Sequence, residues 1–347
     1  MFKSKKMNEQ KLNDWLKKRK EIKHIDSNTL FEKIKSGDIN SLAKAITLIE
    51  STREEDQKIA QDLIQKSLAF TGNSIRIGIT GVPGVGKSTF IETFGTLLIE
   101  QGKKVAVLAI DPSSEKSHGS ILGDKTRMEK LSQNPMAFIR PTAAGDTLGG
   151  VARKTRECTY LCELAGFDII LIETVGVGQS ETTVHSMVDF FMLLMLSGAG
   201  DELQGIKRGI MEMADLLVIT KADGTNLQAA KRAKQEYQNA MHLFPPNENN
   251  WVSKSTITSV FDQELMQNIV RILFDFKEHV SSSGHFNSKR KQQDQFWFEE
   301  TLKEFILKHY YNQHDFKIDL KELKRKVLEG EISSFEAAKQ LFNKHTH

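Results

Sequence analysis

At 347 residues, with 39% hydrophobic and 27% charged side chains, the chain can bury a sizeable core and form one large domain with appendages, or two domains. Its 48 Lys and Arg against 45 Asp and Glu leave a formal charge of +3, too small a bias to point to nucleic acid. No apolar run reaches the length of a membrane span, the N-terminus lacks the apolar core of a signal peptide, and Glu9, Asp14, Glu21 and Asp26 make it too acidic for a mitochondrial presequence, so a cytoplasmic protein without membrane contact is expected.

Residues 1–72 carry apolar side chains at helical spacing: Leu30, Phe31 and Ile34, then Leu42, Ala45, Ile46 and Ile49, then Ile59, Leu63 and Ile64. Ser36-Gly37-Asp38 interrupts the pattern, and the segment is predicted to be an N-terminal helical extension. The basic residues of the first 23 positions read as a solvated face. From Ile75 the texture changes to short apolar runs between helical stretches: IRIGIT, KVAVLAI, MAFIR, DIILIE, FFMLLML and DLLVIT. Runs that are apolar on both alternations fit strands covered on both faces, so residues 73–284 are predicted to form an α/β domain, a mostly parallel sheet flanked by helices. Cys158 and Cys162, four apart in a helical stretch, stack on one face. A structural disulfide is not expected, nor a metal site without further ligands nearby. Residues 285–347 lose strand signals and read as a polar helical extension that folds back on the sheet domain or packs against another chain.

The chemistry begins at GVPGVGKSTF. Gly81, Gly86, Lys87 and Ser88 match GxxxxGK[ST] directly after the strand IRIGIT and at the start of a helical stretch. In such a loop, here Gly81, Val82, Pro83, Gly84, Val85 and Gly86, backbone N–H groups wrap a β-phosphate. The helix N-terminus adds partial positive charge, Lys87 bridges β- and γ-oxygens, and the Ser88 hydroxyl ligates Mg²⁺. A second acid at a strand end helps place the metal, and DIILIETVG supplies Glu173, with Gly176 three residues on able to offer an N–H to a γ-phosphate. The strand VAVLAI ends in Asp111-Pro112-Ser113-Ser114, and GDKTRM follows with Asp124 and Arg127. These acids could approach Mg²⁺ when the nucleotide orders the segment, or mark an ordinary turn. After DLLVIT, Lys221 and Asp223 of Thr220-Lys221-Ala222-Asp223 resemble the guanine-reading NKxD motif. The carboxylate accepts from the ring N–H and exocyclic amine of guanine, while adenine presents an acceptor there. Thr220 stands where the motif has Asn.

GVPGVGKSTF, DPSS, GSILGDKTRM, LIETVGVGQSE, GAGDELQGIK and KADG occur in order, and together they resemble the methylmalonyl-CoA mutase-associated GTPases of the MeaB/ArgK type, within the SIMIBI class of P-loop GTPases. The resemblance runs from about residue 30 to the C-terminus and implies a homodimer that binds and hydrolyses GTP to GDP and serves an adenosylcobalamin-dependent acyl-CoA mutase as a chaperone. It assigns Lys87, Ser88 and Thr89 to phosphates and metal, and Asp111, Asp124 and Glu173 to the Mg²⁺ shell. Three switches are implied: Asp111 to Arg127, Glu173 to Glu181 with Gln179, and Gly198 to Lys207 with Asp201. The C-terminal extension resembles a dimerisation arm. Three residues depart from the family pattern: Thr220 for Asn, Ser197 for Pro before Gly-Ala-Gly, and Ser255-Thr256-Ile257 where a Ser-Ala loop would meet guanine O6. Val177 rather than Gln follows Gly176, so hydrolysis is expected to be slow alone, with water positioned by switch acids such as Asp111, and faster when a partner orders the switches. Two alternatives are a nucleotide-dependent kinase, for which no acceptor or base is evident in the sequence, and a nickel-type metallochaperone GTPase, which would carry His- or Cys-rich tracts.

Overall fold

The computed structural model describes residues 26–110, 128–142, 148–174, 180–198, 208–245 and 247–345. The chain divides into two compact units, 1–290 and 291–347. Among the described residues, the first unit has at its start helices α1 (Ser27–Lys35), α2 (Ile39–Glu50) and α3 (Glu54–Ser67). Asp26 caps α1 by accepting from the backbone N–H groups of Asn28 and Thr29, and Asp38 caps α2 through Asn40. Between them Gly37 takes φ +88°, a left-handed turn that a side chain would resist. Leu30, Ile34, Leu42, Ile46 and Leu63 are buried, which places the apolar stripes of the three helices against one another and the sheet domain.

The sheet domain then alternates strand and helix: β1 (Ile75–Gly81), α4 (Lys87–Glu100), β2 (Val105–Ile110), α5 (Glu129–Ser132), β3 (Ala137–Thr142), α6 (Leu148–Leu164), β4 (Ile169–Thr174), α7 (Ser180–His185), β5 (Phe190–Met195), α8 (Arg208–Glu212), β6 (Leu216–Ile219), α9 (Leu227–Met241), β7 (Lys254–Ile257) and α10 (Gln263–Ser282). The strands form one sheet in the order β3-β2-β4-β1-β5-β6-β7, and every pairing is parallel. The α/β class and parallel sheet expected from the sequence are what the chain adopts. The six apolar runs are β1 to β6, whereas β7, KSTI, went unseen: it is four residues long, lies at the sheet edge and carries little apolar signal. The strand alternation divides the core. Ile77, Ile79, Phe190 and Met192 meet Phe90, Phe94 and Phe276 on one face, and Leu193, Met195, Leu217 and Ile219 meet Ala230 and Tyr237 on the other.

At the N-terminal end of β1 and β5 lies a buried charge network. Glu163 accepts from Arg76 at 3.1 Å and Arg290 at 3.3 Å, and Arg290 also reaches Asp189 at 2.7 Å. The Ser74 hydroxyl and Gly72 N–H complete the shell of Glu163. Burial pushes the Asp189 carboxyl up, but the guanidinium of Arg290, aided by Arg76, outweighs it and holds the group below the usual carboxylate range. Such a network is costly to break because removing one member strands a buried charge. Both cysteines are buried and free, and burial raises both thiols, which leaves them poor nucleophiles.

His185 closes α7 with its ring set edge-on to Phe191 at 5.5 Å, and burial together with the charge of Lys289 pushes its pKa down to about 4 from an ordinary 6.5. The unfolded chain therefore takes up a proton at His185 between pH 6.5 and 4 while the folded chain does not, so this residue's contribution to stability is full above 6.5 and declines as pH falls through that window. His185→Gln is expected to flatten the fall in melting temperature over pH 6.5 to 4, recovering about 1–2 kcal/mol at the acid end; a slope identical to wild type would contradict the assignment.

Helix α11 (His285–Asn312) begins in the first unit and ends in the second, which continues with α12 (His314–Leu328) and α13 (Ser334–His345). Within the second unit α12 and α13 pack together around Phe316, Ala337 and Leu341, and Asp319 accepts from Lys344 and His345 at 2.8 Å each. An apolar cavity of about 620 Å³ opens there, lined by Ile306, Tyr310, Phe316, Leu320, Val327 and Leu341 among others. Phe298, Phe305, Leu328, Phe335 and Phe342 are all exposed.

Candidate functional site

The C-terminal ends of β1, β4, β5, β6 and β7 converge on the loop between β1 and α4, the position at which parallel α/β sheets bind ligands. Gly81, the last residue of β1, is paired with Leu194 of β5, and a Cβ at Gly81 would come within 2.4 Å of the Leu194 carbonyl oxygen. Only glycine permits that approach. Gly84 and Gly86 then take φ of +79° and +92°, turning the chain so that α4 starts at Lys87 with its free N–H groups facing the loop. Pro83 contributes no N–H, and Val85 is buried at the base of the loop.

The Lys87 ammonium donates to the carbonyls of Gly81 at 2.8 Å and Val82 at 3.3 Å, across the mouth of the loop. Burial lowers its pKa, while the charges of Glu173 and Glu181 act to raise it. Glu173 is the one position of β4 that is not fully buried. Pairing of β4 with β1 sets it beside Ile79, and its Oε1 accepts from the Ser88 hydroxyl at 3.3 Å. A hydroxyl and a carboxylate side by side are the hard oxygen donors that Mg²⁺ takes, so these residues fit that ion. Glu181, on the first turn of α7, is 2% exposed and adds a second acid toward Lys87. The sequence marks it only as the end of the second switch, with no charge role toward the lysine. Below the loop, Thr174 donates to Thr80 at 2.8 Å and ties the ends of β4 and β1.

The second part of the site follows β6. The Thr220 hydroxyl lies 2.9 Å from the Val85 carbonyl and 3.3 Å from that of Met195, joining the phosphate loop to the β5 and β6 ends. The departure from Asn therefore retains a tether to the loop. Lys221 takes φ +56° and its ammonium donates to Gly84 O at 2.9 Å. Asp223 accepts from the Ser259 hydroxyl at 2.6 Å, and the Ala222 N–H donates to Thr258 O at 2.9 Å. Ser255, expected beside the base, does not meet Asp223. Ser255 lies inside β7 opposite Leu217, its hydroxyl donating to Lys234 O at 3.2 Å and its N–H to Gln238, at the far end of the strand from Asp223. The residue that meets Asp223 is Ser259, past the C-terminal end of β7. An unseen strand made that end invisible.

Gly81, Val82, Pro83, Gly84, Val85, Gly86, Lys87, Ser88 and Thr89 form the loop and helix start, and the structure brings them together with Glu173, Lys221 and Asp223. Gly198, with φ +83°, turns the chain after β5. Asp111, Asp124, Arg127, Gly176, Gln179, Asp201 and Lys207 lie outside the described residues. Among the described residues, no cluster of three or more His, Cys, Asp or Glu side chains is placed to hold a metal.

A parallel sheet carrying this phosphate loop at β1, an acid at β4 and a carboxylate-bearing base loop at β6 defines a P-loop GTPase. A family model for the "Methylmalonyl Co-A mutase-associated GTPase MeaB" matches residues 42–315, and the chain belongs to that family. It is 43% identical over 295 residues to the GTPase ArgK of Escherichia coli, covering 84% of this chain and 89% of the relative. It is 44% identical over 329 residues to the mitochondrial methylmalonic aciduria type A homolog of Mus musculus, covering 92% and 79%. Among solved structures, a crystal structure described as an LAO/AO transport system kinase matches with a TM-score of 0.74 and 34% identity, covering 92% of this chain and 98% of that one.

Proposed function

We propose that the chain is a regulatory GTPase that gates cofactor loading and protection on an adenosylcobalamin-dependent acyl-CoA mutase, methylmalonyl-CoA mutase in the first instance, and that it works as a homodimer in the cytoplasm. The observation that carries the reading is the junction at Val85, where one hydroxyl, that of Thr220, ties the phosphate loop to the base loop in a chain of the mutase-associated family. On this reading the loop N–H groups and the α4 N-terminus hold the β-phosphate, and Lys87 leaves its two carbonyls for the β–γ bridging region, where negative charge grows as the γ-phosphoryl group departs. Mg²⁺, held by Ser88 and Glu173 with Asp111 and Asp124 completing its shell, would neutralise charge on the β- and γ-oxygens. Asp223 receives the guanine edge, with its orientation set by Ser259. Turnover in the isolated protein is expected to be slow because Val177 rather than Gln follows Gly176, with the water positioned by switch acids such as Asp111, and Arg127, Gly176, Gln179, Asp201 and Lys207 are the switch positions through which a partner would act.

The homodimer reading is supported by the second unit, where a cavity of about 620 Å³ and exposed Phe298, Phe305, Phe335 and Phe342 leave apolar surface of a kind that a second copy would cover. Calorimetric titration with the non-hydrolysable analogues of GTP and ATP tests the nucleotide assignment: GTP analogue is expected to bind at least about a hundredfold more tightly, and equal binding of the two would overturn it.

A further inference from the structure

Asp223 is exposed on a loop, and a carboxylate that must meet two guanine donors at once needs its backbone fixed. The residue that fixes it lies three positions on. The Asn226 side-chain amide donates to the Lys221 carbonyl at 2.6 Å, its Oδ1 accepts from the Ser197 hydroxyl at 2.6 Å, and its backbone N–H donates to the Asp223 carbonyl at 3.0 Å. One asparagine thus holds the carbonyls at both ends of Lys221-Ala222-Asp223. The bond to Lys221 falls on a residue in the left-handed region, φ +56°, which a lysine does not favour unaided. That conformation also sends the Lys221 ammonium to Gly84 of the phosphate loop. The Lys221 carbonyl, which can only accept, fixes which end of the amide is nitrogen, and the Ser197 hydroxyl, two residues past β5, donates to the oxygen on the other side and holds the side chain in place.

We propose that Asn226, aimed by Ser197, is the positioning residue of the guanine site: it does not touch the base but sets the Lys221–Asp223 backbone so that the Asp223 carboxylate meets the ring N–H and amine together. The inference rests on the guanine reading of Asp223. Asn226→Ala removes the brace, and Asn226→Asp keeps the oxygen facing Ser197 while turning a carboxylate oxygen toward the Lys221 carbonyl.

The test is the binding of GDP and inosine 5′-diphosphate, which lacks the exocyclic amine, to the full-length protein. Wild type is expected to favour GDP by about tenfold. In both Asn226 variants GDP binding should weaken by about tenfold and the GDP preference should shrink to about twofold, because a misaimed carboxylate no longer rewards the amine. Steady-state GTP hydrolysis should show KM raised with kcat held within about twofold. A loss of affinity that falls equally on both nucleotides, leaving the wild-type ratio, would overturn the proposal and indicate a structural role alone. So would a fall in kcat at unchanged KM. Wild type binding both nucleotides alike would instead overturn the reading of Asp223 itself.

Discussion

Lys87→Ala is expected to lower GTP hydrolysis by about two to three orders of magnitude, the loss seen when a single preorganised donor to a developing charge is removed. The side chain reaches across the loop mouth to Gly81 and Val82, and burial lowers its pKa against the pull of Glu173 and Glu181. Removing it leaves those acids facing phosphate oxygens without a counter-charge, so GTP should lose more affinity than GDP. Lys87→Arg is not a rescue, because a planar guanidinium cannot replace a compact ammonium between the two carbonyls. Single-turnover hydrolysis at saturating GTP reads the effect. A rate within threefold of wild type, with nucleotide bound, would remove Lys87 from the chemistry.

Asp223→Asn should exchange the preferred base. The carboxylate accepts twice from guanine, whereas an amide accepts once and donates once, which suits xanthine, whose carbonyl stands where guanine has its amine. Hydrogen bonds to a charged group contribute about 1.5–3 kcal/mol each, so GDP affinity is expected to fall by about 10²-fold while xanthosine diphosphate becomes the tighter ligand. Ser259, which donates to Asp223 at 2.6 Å, can donate equally to the amide oxygen, so the loop should hold its shape. Loss of affinity for both nucleotides together would show that Asp223 supports the loop rather than reading the base.

The strands that cross the middle of the sheet were legible because burial on both faces writes an unbroken apolar run, as in Phe190 to Met195. Strand β7 was not, because Lys254, Ser255 and Thr256 at an edge need no such run. That omission hid the strand end past which Ser259, not Ser255, meets Asp223. The glycines of the phosphate loop were legible for a physical reason that the structure makes specific: Gly81 has the Leu194 carbonyl in the place of a Cβ. Glu181 closes the motif LIETVGVGQSE, but its approach to Lys87 comes from the placing of helix α7; Asn226 carries no motif, and beside its local bonds to Lys221 and Asp223 it is held by Ser197, 29 residues away. Local spacing cannot express such contacts. Thr220 was visible as a departure, but only the 2.9 Å contact with Val85 shows that its hydroxyl keeps the tether.

The central claim, that nucleotide state governs cofactor handling by a mutase, is tested most directly by mixing the full-length protein with apo methylmalonyl-CoA mutase and following cobalamin transfer by absorbance with GTP, with GDP and without nucleotide. Adenosylcobalamin loading is expected to differ between the GTP and GDP states, and Lys87→Ala is expected to abolish the difference. Equal loading under all three conditions, with the two proteins shown to be in contact, would contradict it.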